Sequence, residues 1–427
     1  MFLWRFVLNS TTMLADSRAS APEISSSLQG KRMAMVTFSP YPNDARPRRT
    51  LSVLLNEGME VDLICIGYGD APTREELNGM SILRFPVRRR RGSKLVYAWN
   101  YFAFILFSAI VLAFRSLKSR YELVYVNNMP DILVLSALIP KALGAKVLLD
   151  LHDPMPELMK TIYNLDDDSL SVRIIRWLEK WSIARAHSVL TVNDACKKLF
   201  ASRSCSPDKI GVVMNSPDDQ IIPLRSPRSY AFVSDVPAKR FVIMYHGSFV
   251  ERNGLDIAVD AFVQVVKSVP AAELRIFGRE TPFLREVIDK ARNLGLGCNV
   301  RFMGLKSLEG LVSEIEECDL GLVPNRQNAF AEIVMPTRLL EFLSVGKPVI
   351  GPRTPGIQDY FNRDSVLFFE AGNADDLARK IENVAFHYSE AIERAERGQQ
   401  VFLKHTWPQE SRILIDEVAK LLTSARP

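Results

Sequence analysis

From residue 33 onward, short apolar runs alternate with longer segments whose apolar positions recur every three or four residues. Residues 33–38, 61–66, 123–126, 146–150 and 188–192 read as strands; 46–57, 132–143 and 172–186 read as helices. The runs are apolar almost without interruption, as in a parallel sheet covered on both faces. Between 216 and 239 the pattern fails, and Pro217, Pro223, Pro227 and Pro237 mark a linker. It then restarts, with strands at 241–245, 273–277, 300–302 and 320–323 and helices at 255–269, 283–294 and 308–317. The fold class expected is α/β, two Rossmann-like domains facing a cleft. Residues 31–215 form the first domain and 240–400 the second. A C-terminal helix within 401–427 is expected to pack back on the first domain. Residues 1–30, a short apolar start interrupted by Arg5 and followed by a Ser-, Ala- and Thr-rich stretch, read as a flexible extension. Ligands of such sheets bind in the crevice at the carboxyl ends of the strands.

One segment departs from this rhythm. Residues 95–114 are apolar and aromatic, long enough to just span a bilayer. Arg88–Arg91 and Lys94 precede it; Arg115, Lys118 and Arg120 follow. A single span would put one basic cluster on the wrong side. A helix lying at the headgroup level fits better, so residues 88–120 are expected to contact the cytoplasmic membrane surface. A buried core helix and a true span are the other two readings.

At 427 residues, with 47% hydrophobic and 24% charged residues, the chain suits two globular domains. The net charge of +5 is largely local to the 88–94 region, which argues against nucleic acid as a partner. Five cysteines without a CxxC pair and five dispersed histidines suit a reducing cytosol and give no metal site. The expected location is cytoplasmic, peripheral on the inner face of the membrane.

The most informative motif is 335–351. Pro336 opens a short helix, Gly346 closes it, and a buried strand follows. Arg338 and Glu341 are three residues apart and share one helix face. A cation and a carboxylate near a helix N-terminus suit a phosphate and a ribose hydroxyl.

Several motifs, in order, resemble the glycosyltransferases of family 4, which retain anomeric configuration and have the GT-B fold. They are residues 41–49, 149–157, 212–218, 245–248, 252–256, 274–278, 300–304 and the 335–351 motif. The resemblance is to the subgroup acting in bacterial surface-polysaccharide and lipid-linked sugar synthesis. It implies a nucleotide-sugar donor, UDP- or GDP-linked, with no cofactor and no metal. The charge of the leaving diphosphate then falls to arginines, backbone N–H groups and helix dipoles. The donor set implied is Gly247, Ser248, Arg252, Asn253, Gly278, Glu332, Pro336, Thr337, Arg338 and Glu341. Ser248 and Asn253 stand where many members carry an arginine and a lysine; Arg252 is the substitute cation. Glu341 matches the second acid of the family's paired-glutamate signature, which accepts from the ribose hydroxyls. The first acid falls on Ile333, with Glu332 beside it. Base choice would rest on the loops around Arg279 and Phe302.

His152, by resemblance, contacts the transferred sugar or the leaving diphosphate, so His152, Arg252 and Glu341 form the implied catalytic set. Asp44, Arg46, Arg48 and Arg49 lie at the acceptor end, where three arginines suit a lipid-linked diphosphate or are simply solvated. Asp153 and Glu157 bind acceptor hydroxyls or cap the next helix, capping being the favoured role for Asp153. The function implied is transfer of a sugar to a lipid-linked or polysaccharide acceptor. An acceptor-independent epimerase or hydrolase of the same fold, or a non-catalytic scaffold, are the alternatives.

Overall fold

A computed structural model describes residues 28–86, 94–227 and 240–424, with the side chains of 94, 95 and 97 left aside. The Arg88–Arg91 run, residues 1–27 of the expected extension and residues 228–239 of the expected linker lie outside the described residues. The chain first lays down β1 (Arg32–Pro40), α1 (Ala45–Asn56), β2 (Glu60–Ile66), β3 (Arg74–Leu77), β4 (Met80–Phe85) and α2 (Lys94–Lys118). It continues with β5 (Leu123–Asn127), a 3-10 turn (Asp131–Ala137), α3 (Leu138–Ala142), β6 (Lys146–Leu151), α4 (Met155–Tyr163) and α5 (Leu170–Arg185). β7 (Ser188–Thr191), α6 (Asp194–Arg203) and β8 (Ile210–Val212) complete the first sheet. Its order is β3-β4-β2-β1-β5-β6-β7-β8, parallel except for β3.

The second sheet is built from β9 (Phe241–His246), α7 (Leu255–Ser268), β10 (Ala272–Phe277), α8 (Pro282–Asn293), β11 (Val300–Gly304), α9 (Leu308–Glu317) and β12 (Leu320–Leu322). Then follow α10 (Thr337–Ser344), β13 (Val349–Pro352), α11 (Pro355–Gln358), β14 (Leu367–Phe369), α12 (Ala374–Phe386), α13 (Tyr388–Phe402) and α14 (Trp407–Thr423). The strand order is β11-β10-β9-β12-β13-β14, all parallel. The order reverses beside β1 in one sheet and beside β9 in the other, which places a crevice at the carboxyl end of each.

Alternation along β1 sends Ala34, Val36 and Phe38 to one face, where Phe104 of α2, Ile183 of α5 and Phe200 of α6 cover them. Met33 and Met35 point to the other face, covered by Leu51 and Leu54 of α1 and by Leu414, Val418 and Leu421 of α14. The last helix of the chain thus packs on the first sheet. Burial of those three side chains stabilises the return by about 1.5–3 kcal/mol each. Glu410 of α14 also accepts the Met214 N–H at 2.7 Å, and Arg49 stacks 5.0 Å over the Trp407 ring.

Two local expectations are corrected. The expected helix at 132–143 splits into the 3-10 turn and α3, since Pro140 cannot donate into a longer ladder. In the 335–351 motif, Pro336 is the residue before the first helical turn, with φ −66° and ψ 120°.

α2 contains Ala98–Lys118, among the described residues the one helix long and apolar enough to cross a membrane. Phe104, Ser108, Leu112 and Ser116 face the domain core, and the two serines donate back to the carbonyls of Phe104 and Leu112. Trp99, Phe102, Leu106, Ile110, Phe114 and Leu117 form an exposed apolar stripe at helical spacing. α5 carries a second exposed stripe, Leu170, Ile174 and Trp177, on the same side of the sheet.

Candidate active site

At the switch point of the second sheet, β9 ends in His246 and turns through Gly247 and Ser248, while α10 begins nearby. A cavity of about 320 Å³ opens here, lined by His246, Gly247, Ser248, Arg252, Asn253, Asn325, Phe330, Pro336, Thr337, Arg338 and Glu341, among others. Gly278 makes the turn possible without lining the cavity: a Cβ there would run into the Gly247 carbonyl oxygen and the Phe249 ring. The Phe249 ring in turn meets Phe302 edge to face at 6.0 Å.

Arg338 is buried on α10. Its guanidinium donates to the His246 carbonyl at 3.2 Å and to Asn325 Oδ1 at 3.4 Å, and lies 4.6 Å over the Tyr245 ring. Arg252 lies 5.9 Å over the Phe330 ring. Burial lowers its affinity for its proton, an effect the Asp153 carboxylate opposes. Among the described residues, neither arginine has a carboxylate within ion-pair distance. A buried and a half-buried cation therefore face the cavity with no carboxylate in ion-pair contact. Such a site is complementary to an anionic ligand, since an uncompensated charge costs least when a ligand's charge is there.

Glu341 sits one turn along α10 from Arg338. Burial pushes its carboxyl up to about 7, against the charges of Arg338 and Arg49. Its Oε2 lies 3.3 Å from Nε2 of His246, an approach without hydrogen-bond geometry, so that nitrogen is buried with no partner. Burial, reinforced by the Arg338 charge, pushes the His246 imidazole down to about 3, so it is neutral. Asn253 donates to the Ser248 carbonyl at 2.9 Å and fixes the turn.

A second cavity, about 300 Å³, adjoins the first and is lined by residues of both domains. Asp44, Ala45, Arg46, His152, Asp153, Val192, Met214 and Asn215 come from the first, and Phe330, Val334, Met335 and Thr337 from the second. Phe330, Val334 and Thr337 line both cavities. His152 follows β6 and is oriented through its backbone, whose N–H donates to Asn128 Oδ1 at 3.1 Å, while its Nδ1 is buried without a partner. Asn128 also donates to the Asp153 carbonyl at 2.8 Å and to Asp131 at 3.0 Å, so one buried amide shapes the whole turn.

Several expected site residues have other tasks. Arg46 makes a buried two-point pair with Asp150, at 2.8 and 2.7 Å, and donates to the Val213 carbonyl at 3.1 Å. Three of its five N–H groups are used inside the first domain, while the residue also borders the second cavity. Arg49 donates to the Ser216 carbonyl and to Asn215 Oδ1, holding the exit loop. Arg48 approaches Asp218 at 3.6 Å. Asp44 caps α1, accepting from the Arg46 N–H at 3.3 Å, while bordering the second cavity. Glu157 is buried, takes both terminal nitrogens of Arg203 at 2.7 and 2.9 Å, and lines neither cavity. Asp153 makes no capping bond, because Pro154 holds that position. Glu332 does not line the nucleotide-sized cavity; its carbonyl accepts from Gly356 at 2.8 Å. The first cavity is also lined by His246, Asn325, Phe330, Ala331 and Val334, which the sequence did not single out. His246 adjoins Gly247 and is signalled by that position; the other four come from a loop with no periodicity.

Comparison with known proteins agrees with this arrangement. Residues 45–216 match the family described as glycosyl transferase 4-like domain, and residues 228–399 match glycosyl transferases group 1. A lipopolysaccharide core biosynthesis glycosyltransferase, LpsE of Rhizobium meliloti, is 28% identical over 197 residues, 45% of this chain and 52% of that protein. The match thus spans about half the length of that curated relative. Among solved structures, sucrose-phosphate synthase from Thermosynechococcus elongatus superposes with a TM-score of 0.73 at 17% identity, covering 92% of this chain and all of that one. Anabaena HepE in complex with UDP superposes with a TM-score of 0.67 at 15% identity, covering 91% and all of that chain. With two Rossmann-like domains, each matching a glycosyltransferase domain family, the chain belongs to the glycosyltransferases of the GT-B type.

Proposed function

We propose that this chain transfers a sugar from a UDP-linked donor to a lipid-linked or polysaccharide acceptor at the cytoplasmic face of the membrane. The observation that carries the donor half is the pair Arg252, half-buried, and Arg338, buried, with no carboxylate in ion-pair contact among the described residues, beside a cavity at the start of α10. The diphosphate would lie between them and the Gly247–Ser248 turn, with Glu341 toward the ribose. As the diphosphate leaves, these arginines and the α10 N-terminus hold its growing charge in place of a metal. His152 and Asp153 would face the transferred sugar from the second cavity. The family resemblance supports retention of the anomeric configuration. UDP is favoured as the donor nucleotide because HepE was crystallised with UDP and with UDP-glucose.

The apolar stripes of α2 and α5 support the lipid half. Arg115, Lys118 and Arg120 adjoin the first, and Arg173, Lys180 and Arg185 lie along the second. An exposed apolar row with basic neighbours suits the headgroup region of an anionic bilayer. Incubating the chain with labelled UDP-sugars and a bacterial lipid extract tests the reading. Label entering the lipid phase is the expected result. UDP binding with sugar release and no transfer would favour hydrolysis, and absence of any nucleotide binding would favour a non-catalytic scaffold. In a flotation assay with anionic vesicles, Phe102→Glu and Trp177→Glu should each weaken recovery; undiminished recovery would remove the lipid half alone.

A further inference from the structure

Ile333 stands where the family resemblance expects a sugar-binding acid. It lines neither cavity. It packs against the core of the first domain, in the cluster formed by Val192, Cys196 and Phe200 with the strands beneath them. Its carbonyl accepts from Asn193 Nδ2 at 2.9 Å and from the Cys196 thiol at 3.6 Å. Asn193 is wholly buried and caps α6, its Oδ1 accepting the Cys196 N–H at 2.8 Å. Both partners of Ile333 are therefore fixed by the same helix start. Burial pushes the Cys196 thiol up to about 12, so it keeps its proton and remains a donor.

The neighbouring contacts have the same sense. Thr161 of α4 donates to Asn328 Oδ1 at 3.1 Å and accepts from the Phe330 N–H at 3.3 Å. The Tyr360 hydroxyl accepts from the Asp194 N–H at 2.9 Å. On the other side the loop rests on α11. A Cβ on Gly356 would press into the Ile333 carbonyl carbon and the Val334 oxygen. The 328–334 loop is thus seated on the first domain by α4 and α6, and backed by the second domain through α11. Phe330 and Val334 of the same loop form the wall shared by the two cavities.

We propose that Ile333 is a positioning residue. It seats the donor loop on the first domain and so fixes the spacing between the nucleotide cavity and the His152–Asp153 turn, in place of a carboxylate contact to the donor sugar. Only its turnover arm rests on the glycosyltransferase reading; the shape of the protein does not.

The test uses the full chain with Ile333→Glu, Ile333→Val and Asn193→Ala. A glutamate at 333 would carry its charge into an apolar cluster and unseat the loop. The radius of gyration in solution scattering should rise for Ile333→Glu and Asn193→Ala and stay at the parent value for Ile333→Val. UDP affinity should fall by a smaller factor than turnover, since Gly247, Ser248 and Arg338 stay in place in the second domain while Phe330 and Val334 of the loop also border that cavity. UDP-sugar turnover should fall at least about 10-fold for Ile333→Glu and recover in Ile333→Val. Unchanged scattering and turnover in Ile333→Glu, or tighter donor binding as if a missing acid had been restored, would overturn the proposal. If Ile333→Glu does not fold, the same comparisons on Asn193→Ala decide it. If the parent binds no UDP, the proposed function fails while scattering still tests the seating of the loop.

Discussion

Replacing Arg338 by methionine separates a binding role from a structural one. Arg338 is 9% exposed and its protein partners are two neutral oxygens at 3.2 and 3.4 Å, with no carboxylate in ion-pair reach. Without ligand, this cation is desolvated with little return, and methionine keeps the contact with the Tyr245 ring. Stability of the free protein should change by less than about 1 kcal/mol, or less than ~4 °C in Tm. With ligand, the substitution removes one or two hydrogen bonds to a diphosphate, each worth about 1.5–3 kcal/mol when a partner is charged. A loss of about 2–4 kcal/mol corresponds to a Kd for UDP weaker by roughly 30- to 1000-fold. Arg338→Lys keeps a point charge but not the fork, and should fall between parent and methionine. Titration calorimetry with UDP, paired with thermal unfolding in its absence, measures both quantities. A Kd unchanged within about 3-fold, together with a stability loss above about 3 kcal/mol, would show that Arg338 serves the fold and refute the reasoning.

Other predictions follow from the same geometry. Glu341→Gln should alter the pH profile of stability. A carboxyl raised to about 7 when folded but near 4.5 when unfolded binds more protons in the folded state between those values, so parent stability falls as pH rises from ~4.5 to ~7 and then levels. The glutamine variant should lack this fall, at most about 3 kcal/mol because a fifth of the Glu341 side chain reaches solvent; an identical slope in urea titrations at pH 5 and 8 would contradict it. Arg46→Ala leaves the buried Asp150 without its cation, with the Tyr125 hydroxyl still donating to it, and should cost about 3 kcal/mol in urea unfolding, whereas an acceptor-binding Arg46 would lower turnover with stability intact. Glu157→Gln should likewise destabilise, through the Arg203 pair, without changing the KM for acceptor.

The strands were legible because a parallel sheet buried on both faces needs continuous apolar runs, as at Met33–Phe38 and Phe241–Tyr245. The cavity's Gly247, Arg338 and Glu341 were legible because a helix start and a glycine turn are local features. The pairing of Arg46, Arg49 and Glu157 was hidden for the opposite reason. Their partners, Asp150, Ser216 and Arg203, lie 46 to 167 positions away, and no local pattern tells a paired buried charge from a free one. Ile333 was read as an absent acid because the sequence gives its position in a motif but not the direction of its side chain. The exposed stripe on α5 escaped notice because its apolar spacing equals that of a core-facing helix.

The central claim is that the cavity between Gly247 and Glu341 holds the nucleoside diphosphate of a sugar donor. Hydrogen exchange by mass spectrometry, with and without saturating UDP, tests it most directly, since it reports both binding and place. Exchange should slow in the 246–254 turn and at the start of α10, with no change in α8 or α12. Slowed exchange elsewhere only, or none at millimolar UDP or GDP, would contradict it.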